Sequence, residues 1–260
     1  MKGIKFMKSE QNQSKESRPR GIYLLPNLFT TAALFFGFYS IVAAMKGNFD
    51  VGAIAIFIAF VLDGLDGRVA RMTNTQTAFG AEYDSLSDMV AFAIAPALTV
   101  YSWSLHNLGK MGWLVAFVYT AATALRLARF NTQPHDVDKR YFQGLPCPSA
   151  AALVAGMVWC ASYYDISGIF IAIPAAIVTF AVAALMVSRV RYYSFKQIDF
   201  KGRVPFVMIV IVVFVIAGIA IDPPQILFGI FLIFAASGPV MTLWQLRKMR
   251  KRSLRNDNKK

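Results

Sequence analysis

Residues 62–88 read LDGLDGRVARMTNTQTAFGAEYDSLSD and set four aspartates, Asp63, Asp66, Asp84 and Asp88, inside or beside stretches apolar enough to be membrane spans. A carboxylate at membrane depth is costly and is ordinarily kept for function. Asp63 and Asp66 are three apart, and Asp84 and Asp88 four apart. On helices, residues at those spacings are neighbours on one face. The link 67–80 is expected to let the chain turn and set the two helices antiparallel, so that the four carboxylates converge. Hard oxygen ligands carrying about four negative charges suit one or two Mg²⁺, Mn²⁺ or Ca²⁺ ions. Two such ions about 4 Å apart clamp the attacking and leaving oxygens of a phosphoryl transfer. Gly64 and Gly67 remove side chains beside the carboxylates and let a bulky substrate approach the backbone. Arg71, one turn further on, offers a fork of donors to a phosphate. A lone aspartate at a span end is ordinarily a cap or a surface charge, and an isolated Asp-Gly pair a turn. The whole array, with Gly80 and Arg71 in place, is not explained that way.

The surrounding sequence is that of an all-α, polytopic membrane protein. Of 260 residues, 57% are hydrophobic and 16% charged, against about 25% charged in soluble domains. Apolar blocks recur at 32–44, 51–62, 112–125, 166–187, 204–221 and 226–243, several near the roughly 20 residues that cross a bilayer as helix. Eight spans are expected, near 26–46, 49–71, 83–105, 110–130, 148–164, 167–188, 204–221 and 225–245. The polar, basic first 20 residues, followed by a long apolar run, do not resemble a cleavable signal. Pro26 suits the first turn of the first span. Cys147 and Cys160 make neither a disulfide framework nor a metal spacing, and His106 and His135 are expected at the surface.

Charge supports the count. Lysine and arginine favour the cytoplasmic side of a membrane. With eight spans, both tails and the 2–3, 4–5 and 6–7 connections share one side. Of the 27 Lys and Arg residues, all but Lys46 and Lys110 then fall there. The expected localisation is therefore integral to the cytoplasmic membrane, with both termini and the aspartate array facing the cytoplasm. The net charge of +13 gathers where anionic lipid headgroups lie. Membrane lipids, not nucleic acid, are the expected partners, since no basic domain stands outside the membrane.

Asp63-Gly64-Leu65-Asp66-Gly67-x-x-Ala70-Arg71, eight residues on Gly80, then Asp84 and Asp88, resembles the signature of the CDP-alcohol phosphotransferase family at every fixed position. The resemblance implies two Mg²⁺ or Mn²⁺ ions at the cytosolic ends of spans two and three. Asp63, Asp66 and Asp84 correspond to metal ligands. Asp88 corresponds to a residue that meets the metal site and serves as general base. The stretch 26–30, PNLFT, is similar to the family's entry to span one, placing Asn27 and Thr30 near the nucleotide. With Gly64, Gly67, Arg71 and Gly80 they form the expected nucleotide and phosphate contacts.

Further stretches, EYDSLSD at 82–88, APA at 95–97, ALRLARFN at 124–131 and FQGLPCPSA at 142–150, are similar to the branch that forms phosphatidylserine. The resemblance implies transfer of the phosphatidyl group from CDP-diacylglycerol to the hydroxyl of L-serine, releasing CMP. Arg126, Arg129 and Arg140 are candidates for the serine carboxylate. The implied organisation is a basic, disordered cytoplasmic tail (1–21), a six-helix core (22–190), two additional spans (191–246) and a second basic tail (247–260). A homodimer is implied by the resemblance alone. One alternative is a sister enzyme using glycerol 3-phosphate, inositol phosphate or choline; a phosphorylated acceptor would call for a denser cationic pocket near span four. The other is a cation transporter, which would keep its carboxylates nearer the midplane and often show repeats.

Overall fold

The structure, a computed structural model, describes residues 24–73, 75, 77–132, 141–193 and 206–257. Nearly every element is a helix. α1 (Leu24–Met45) and α2 (Phe49–Thr73) lead to α3 (Ala78–Asp88). A π-helical turn (Met89–Ile94) joins α3 to α4 (Ala95–Trp103). Then follow α5 (Lys110–Thr132), α6 (Cys147–Tyr163), α7 (Ala172–Val187), α8 (Phe206–Ile221) and α9 (Pro223–Asp257). Among the described residues, four helical stretches, Leu25–Met45, Ala78–Trp103, Lys110–Thr132 and Pro223–Thr242, are long and apolar enough to cross a membrane, and Cys147–Tyr163 and Ala172–Val187 are shorter apolar helices.

The packing is inverted relative to a soluble protein. Large residues such as Phe35, Phe38, Phe117, Ile173 and Phe180 face outward, while alanines fill the interior, among them Ala91, Ala93, Ala95, Ala151 and Ala155. Helices that gain nothing by hiding large apolar groups from lipid associate through small residues that let backbones approach. α1 lies antiparallel along α2: Gly52 meets Ser40 near one end, and Thr30 meets Asp66 near the other. α1 also crosses the π turn so closely that a Cβ on Gly37 would stand 2.6 Å from Ala91 Cα. Pro96 has no N–H to offer the Phe92 carbonyl four residues back. The buried Tyr119 hydroxyl of α5 donates to that carbonyl instead, at 3.0 Å.

Several expectations need correction. The link between the second and third spans is short, because α2 continues to Thr73 and α3 starts at Ala78. Thr77 caps α3, its hydroxyl accepting from the Gly80 N–H at 3.0 Å, the arrangement that favours Ser and Thr at helix starts. The sixth expected span is α7 and begins at Ala172, not near 167. The final helix runs on to Asp257, through most of the stretch expected to be a basic tail after the last span. QLRKMRKRSLR is rich in good helix formers and holds no Gly or Pro to stop it. Residues 1–21 and 258–260 lie outside the described residues.

Two three-residue strands depart from an all-helical reading. β1 (Tyr141–Gln143) pairs antiparallel with β2 (Arg191–Tyr193), with Phe142 opposite Tyr192. This ladder joins the α5–α6 connection to the segment between α7 and α8.

Candidate active site

The site lies where the start of α1, the last turns of α2 and the first turns of α3 meet. The short link sets α2 and α3 side by side, so that Asp63 and Asp66 face Asp84. Carboxylate oxygens of these three all lie within 4.8 Å of one another. Asp88, one turn beyond Asp84, stands outside that group but within electrostatic reach of Asp63 and Asp84.

Like charges about 4 Å apart repel by about 4 kcal/mol at an effective dielectric near 20. Asp66 is only 5% exposed, which removes the water that would screen it. Three converging carboxylates with no nitrogen or sulfur among them match the donor chemistry of a hard divalent cation. The residues present therefore fit such an ion.

Surrounding contacts hold the carboxylates in place. Buried Thr30 donates to Asp66 Oδ2 at 2.8 Å. Its own carbonyl accepts from the buried Ser87 hydroxyl of α3 at 3.1 Å. One α1 residue thus ties both acidic helices together. Sequence reasoning assigned Thr30 to the nucleotide and missed Ser87; the only available signal was its place between Leu86 and Asp88. The Thr31 and Tyr83 hydroxyls add a 2.9 Å link between α1 and α3.

A cavity of about 210 Å³ opens beside the cluster. Asn27, Thr30, Asp66, Gly67, Arg71, Gly80 and Asp84 line it, together with Pro26, Ala70, Thr75, Thr77 and Ala81. Five of the six residues expected near the phosphates are among them. The sixth, Gly64, is not a lining residue, and a Cβ there would meet open space. Exposed Arg71 folds back so that its Nη1 is 3.6 Å from where a Gly67 Cβ would be. A Cβ on Gly80 would come within 3.4 Å of Asn27 Oδ1 and 3.1 Å of Thr77 Oγ1. The glycines at 67 and 80 keep this cavity open.

A second set of polar groups stands at the end of α5. Asn131 donates to the Ser85 hydroxyl at 2.9 Å, which brings that end against α3. Arg126 points Nη2 at the Gly144 carbonyl (3.5 Å) and Nη1 at the Cys147 sulfur (3.9 Å). Its Nε is buried and has no hydrogen-bond partner among the described residues. Arg129 donates to Gln143 Oε1. Arg140 and His135 lie outside the described residues. His106 is exposed near Tyr101, away from the aspartates.

A largely helical chain with membrane-length apolar helices, and with a carboxylate cluster that could hold a divalent cation beside an Arg71-lined cavity, has the features of a membrane enzyme for phosphorylated substrates. The family model described as CDP-alcohol phosphatidyltransferase matches residues 23–187. The chain belongs to that family. It is 36% identical over 218 residues to a CDP-diacylglycerol–serine O-phosphatidyltransferase of Helicobacter pylori, covering 82% of this chain and 90% of the relative. A protein of the same description from Mycobacterium tuberculosis is 36% identical over 152 residues, covering 54% of this chain and 52% of its own. An archaetidylserine synthase of Methanothermobacter thermautotrophicus is 33% identical over 170 residues, covering 65% and 69%.

Proposed function

We propose that this protein transfers the phosphatidyl group of CDP-diacylglycerol to the hydroxyl of L-serine, giving phosphatidylserine and CMP. The observation that carries the chemistry is the convergence of Asp63, Asp66 and Asp84 within 4.8 Å beside the Arg71-lined cavity. The names of the relatives supply the acceptor.

Asp63, Asp66 and Asp84, with Asp88 at their edge, would hold two Mg²⁺ or Mn²⁺ ions. Such ions, when bound, neutralise a pyrophosphate and a departing nucleotide phosphate. The protein's own residues do the rest. Asn27, Thr30, Gly67 and Gly80 line the space for the nucleotide and its phosphates, Gly64 leaves the backbone beside the carboxylates bare, and Arg71 forks onto phosphate oxygens. Asp88 takes the proton from the serine hydroxyl as its oxygen bonds to the phosphorus bearing diacylglycerol. The bond from that phosphorus to the CMP oxygen breaks, and CMP leaves with the electron pair. Arg126 binds the serine carboxylate. Its buried, unpartnered Nε supports this, because a buried donor left unmade is costly and a carboxylate would satisfy it. Arg129 and Arg140 are the other candidates.

The proposal includes eight spans, the core at 22–190, the two-span extension at 191–246, and both termini and the site in the cytoplasm. The distribution of lysine and arginine supports that orientation. The site then meets water-soluble serine while the lipid tails of the donor stay in the bilayer. A homodimer is also part of it; light scattering in detergent is expected to give twice the 28.8 kDa chain mass.

Purified protein supplied with CDP-diacylglycerol and Mn²⁺ is expected to release CMP with serine. Release with glycerol 3-phosphate, inositol phosphate or choline, and not serine, would overturn the acceptor. Arg126→Ala is expected to raise the serine KM by about 10- to 100-fold, the loss of one charged hydrogen-bonded contact. The KM for CDP-diacylglycerol should not change.

A further inference from the structure

The two arginines on the acceptor side are held by one short piece of backbone. Gln143 Oε1 accepts from Arg129, and the Gly144 carbonyl accepts from Arg126. This piece is held in turn by the segment after α7. Gln143 sits opposite Arg191 in the ladder, and the Gly144 N–H donates to the Val190 carbonyl at 2.8 Å. Gly144 has φ +76°, and a Cβ there would stand 2.2 Å from the Met186 carbonyl oxygen. Only glycine fits that left-handed, crowded position.

The middle of β2 is pinned by α9. Tyr192 is fully buried, and its hydroxyl donates to the Ala235 carbonyl at 3.0 Å. Its ring stands on Gly238, where a Cβ would come 2.4 Å from Cζ. The Phe234 ring packs beside it, with centroids 5.6 Å apart. Burial pushes the Tyr192 phenol up to about 12, so it stays a neutral donor at ordinary pH. α9 is itself anchored to the core. Phe231 contacts Phe57 and Phe60 of α2, and Gly156 of α6 lets the Phe228 backbone approach.

We infer that Tyr192 and Gly238 are positioning residues for the alcohol acceptor. The ring seated on Gly238 sets the β1–β2 ladder, and through Gln143 and Gly144 the guanidinium groups of Arg129 and Arg126. The final helix thereby gains a part in acceptor binding: its Ala235 and Gly238 touch Tyr192, whereas the side-chain contacts on Asp66 come from α1. The inference rests on the assignment of these arginines to the acceptor.

The test is a steady-state comparison in the full-length protein. Gly238→Ala is expected to raise the serine KM by about 10- to 100-fold, the scale of a displaced supporting contact. The CDP-diacylglycerol KM and the Mn²⁺ concentration for half-activation should stay at wild-type values. Tyr192→Phe keeps the ring and loses one neutral hydrogen bond, so a rise of about two- to fivefold in the serine KM is expected. It serves where Gly238→Ala does not fold. A wild-type serine KM in these variants would overturn the inference. So would an equal rise in both KM values with a lowered Tm, which marks a purely structural role. If the wild-type enzyme used another alcohol, the serine assignment would fall, and the KM for that alcohol would decide the positioning role.

Discussion

Asp88→Asn is expected to lower kcat by about 10²- to 10⁴-fold, the range general-base catalysis contributes. Asparagine keeps the shape, but it cannot accept a proton at neutral pH. Asp88 stands outside the close group formed by Asp63, Asp66 and Asp84. Its removal should therefore leave CDP-diacylglycerol binding in place and shift the Mn²⁺ concentration for half-activation far less than Asp66→Ala does. Single-turnover CMP release at saturating serine separates the chemical step from binding. Full single-turnover activity would remove the base assignment. Loss of Mn²⁺ activation together with kcat would instead make Asp88 chiefly a metal ligand.

Asp66→Ala is expected to act earlier, by removing the metal. Asp66 is the most buried of the three converging carboxylates. Loss of several kcal/mol of transition-state charge stabilisation corresponds to about 10³-fold or more in rate. A second readout is thermal. Mn²⁺ at about 100 times its dissociation constant stabilises the wild-type fold by about 2.7 kcal/mol, and this shift in Tm should vanish in the variant. Thr30→Val keeps the shape and removes the hydroxyl's 2.8 Å hydrogen bond to Asp66 together with its longer 3.2 Å bond to the Pro26 carbonyl within α1. It should cost about 10- to 100-fold in metal affinity or activity, as for other residues that orient a ligand. An Asp66→Ala variant that kept its Mn²⁺ stabilisation would place the metal elsewhere.

The aspartates were legible because their information is local. Spacings of three and four put pairs on one helical face whatever the rest of the chain does, and the glycines mark where backbone lies open. The helices were legible to within a few residues at most ends, since long apolar blocks in a membrane leave the chain little other choice. The third span's start at Ala78 was missed because the cap, Thr77 with Gly80, sits in polar sequence that reads as a loop. The Thr30–Asp66 and Ser87–Thr30 bonds join residues 36 and 57 positions apart, and no periodicity records such pairs. The same holds for β1 and β2, each three residues long and about 50 apart in the chain. Gly238 resembled any glycine in an apolar helix until Tyr192 was found standing on it.

The central claim is that this site joins the serine hydroxyl oxygen to the lipid phosphorus as CMP departs. L-Serine carrying ¹⁸O in its hydroxyl tests that bond directly. Mass spectrometry of a complete turnover is expected to show the label in phosphatidylserine and none in CMP. Label in a nucleotide product, or phosphatidic acid as the lipid product, would contradict it.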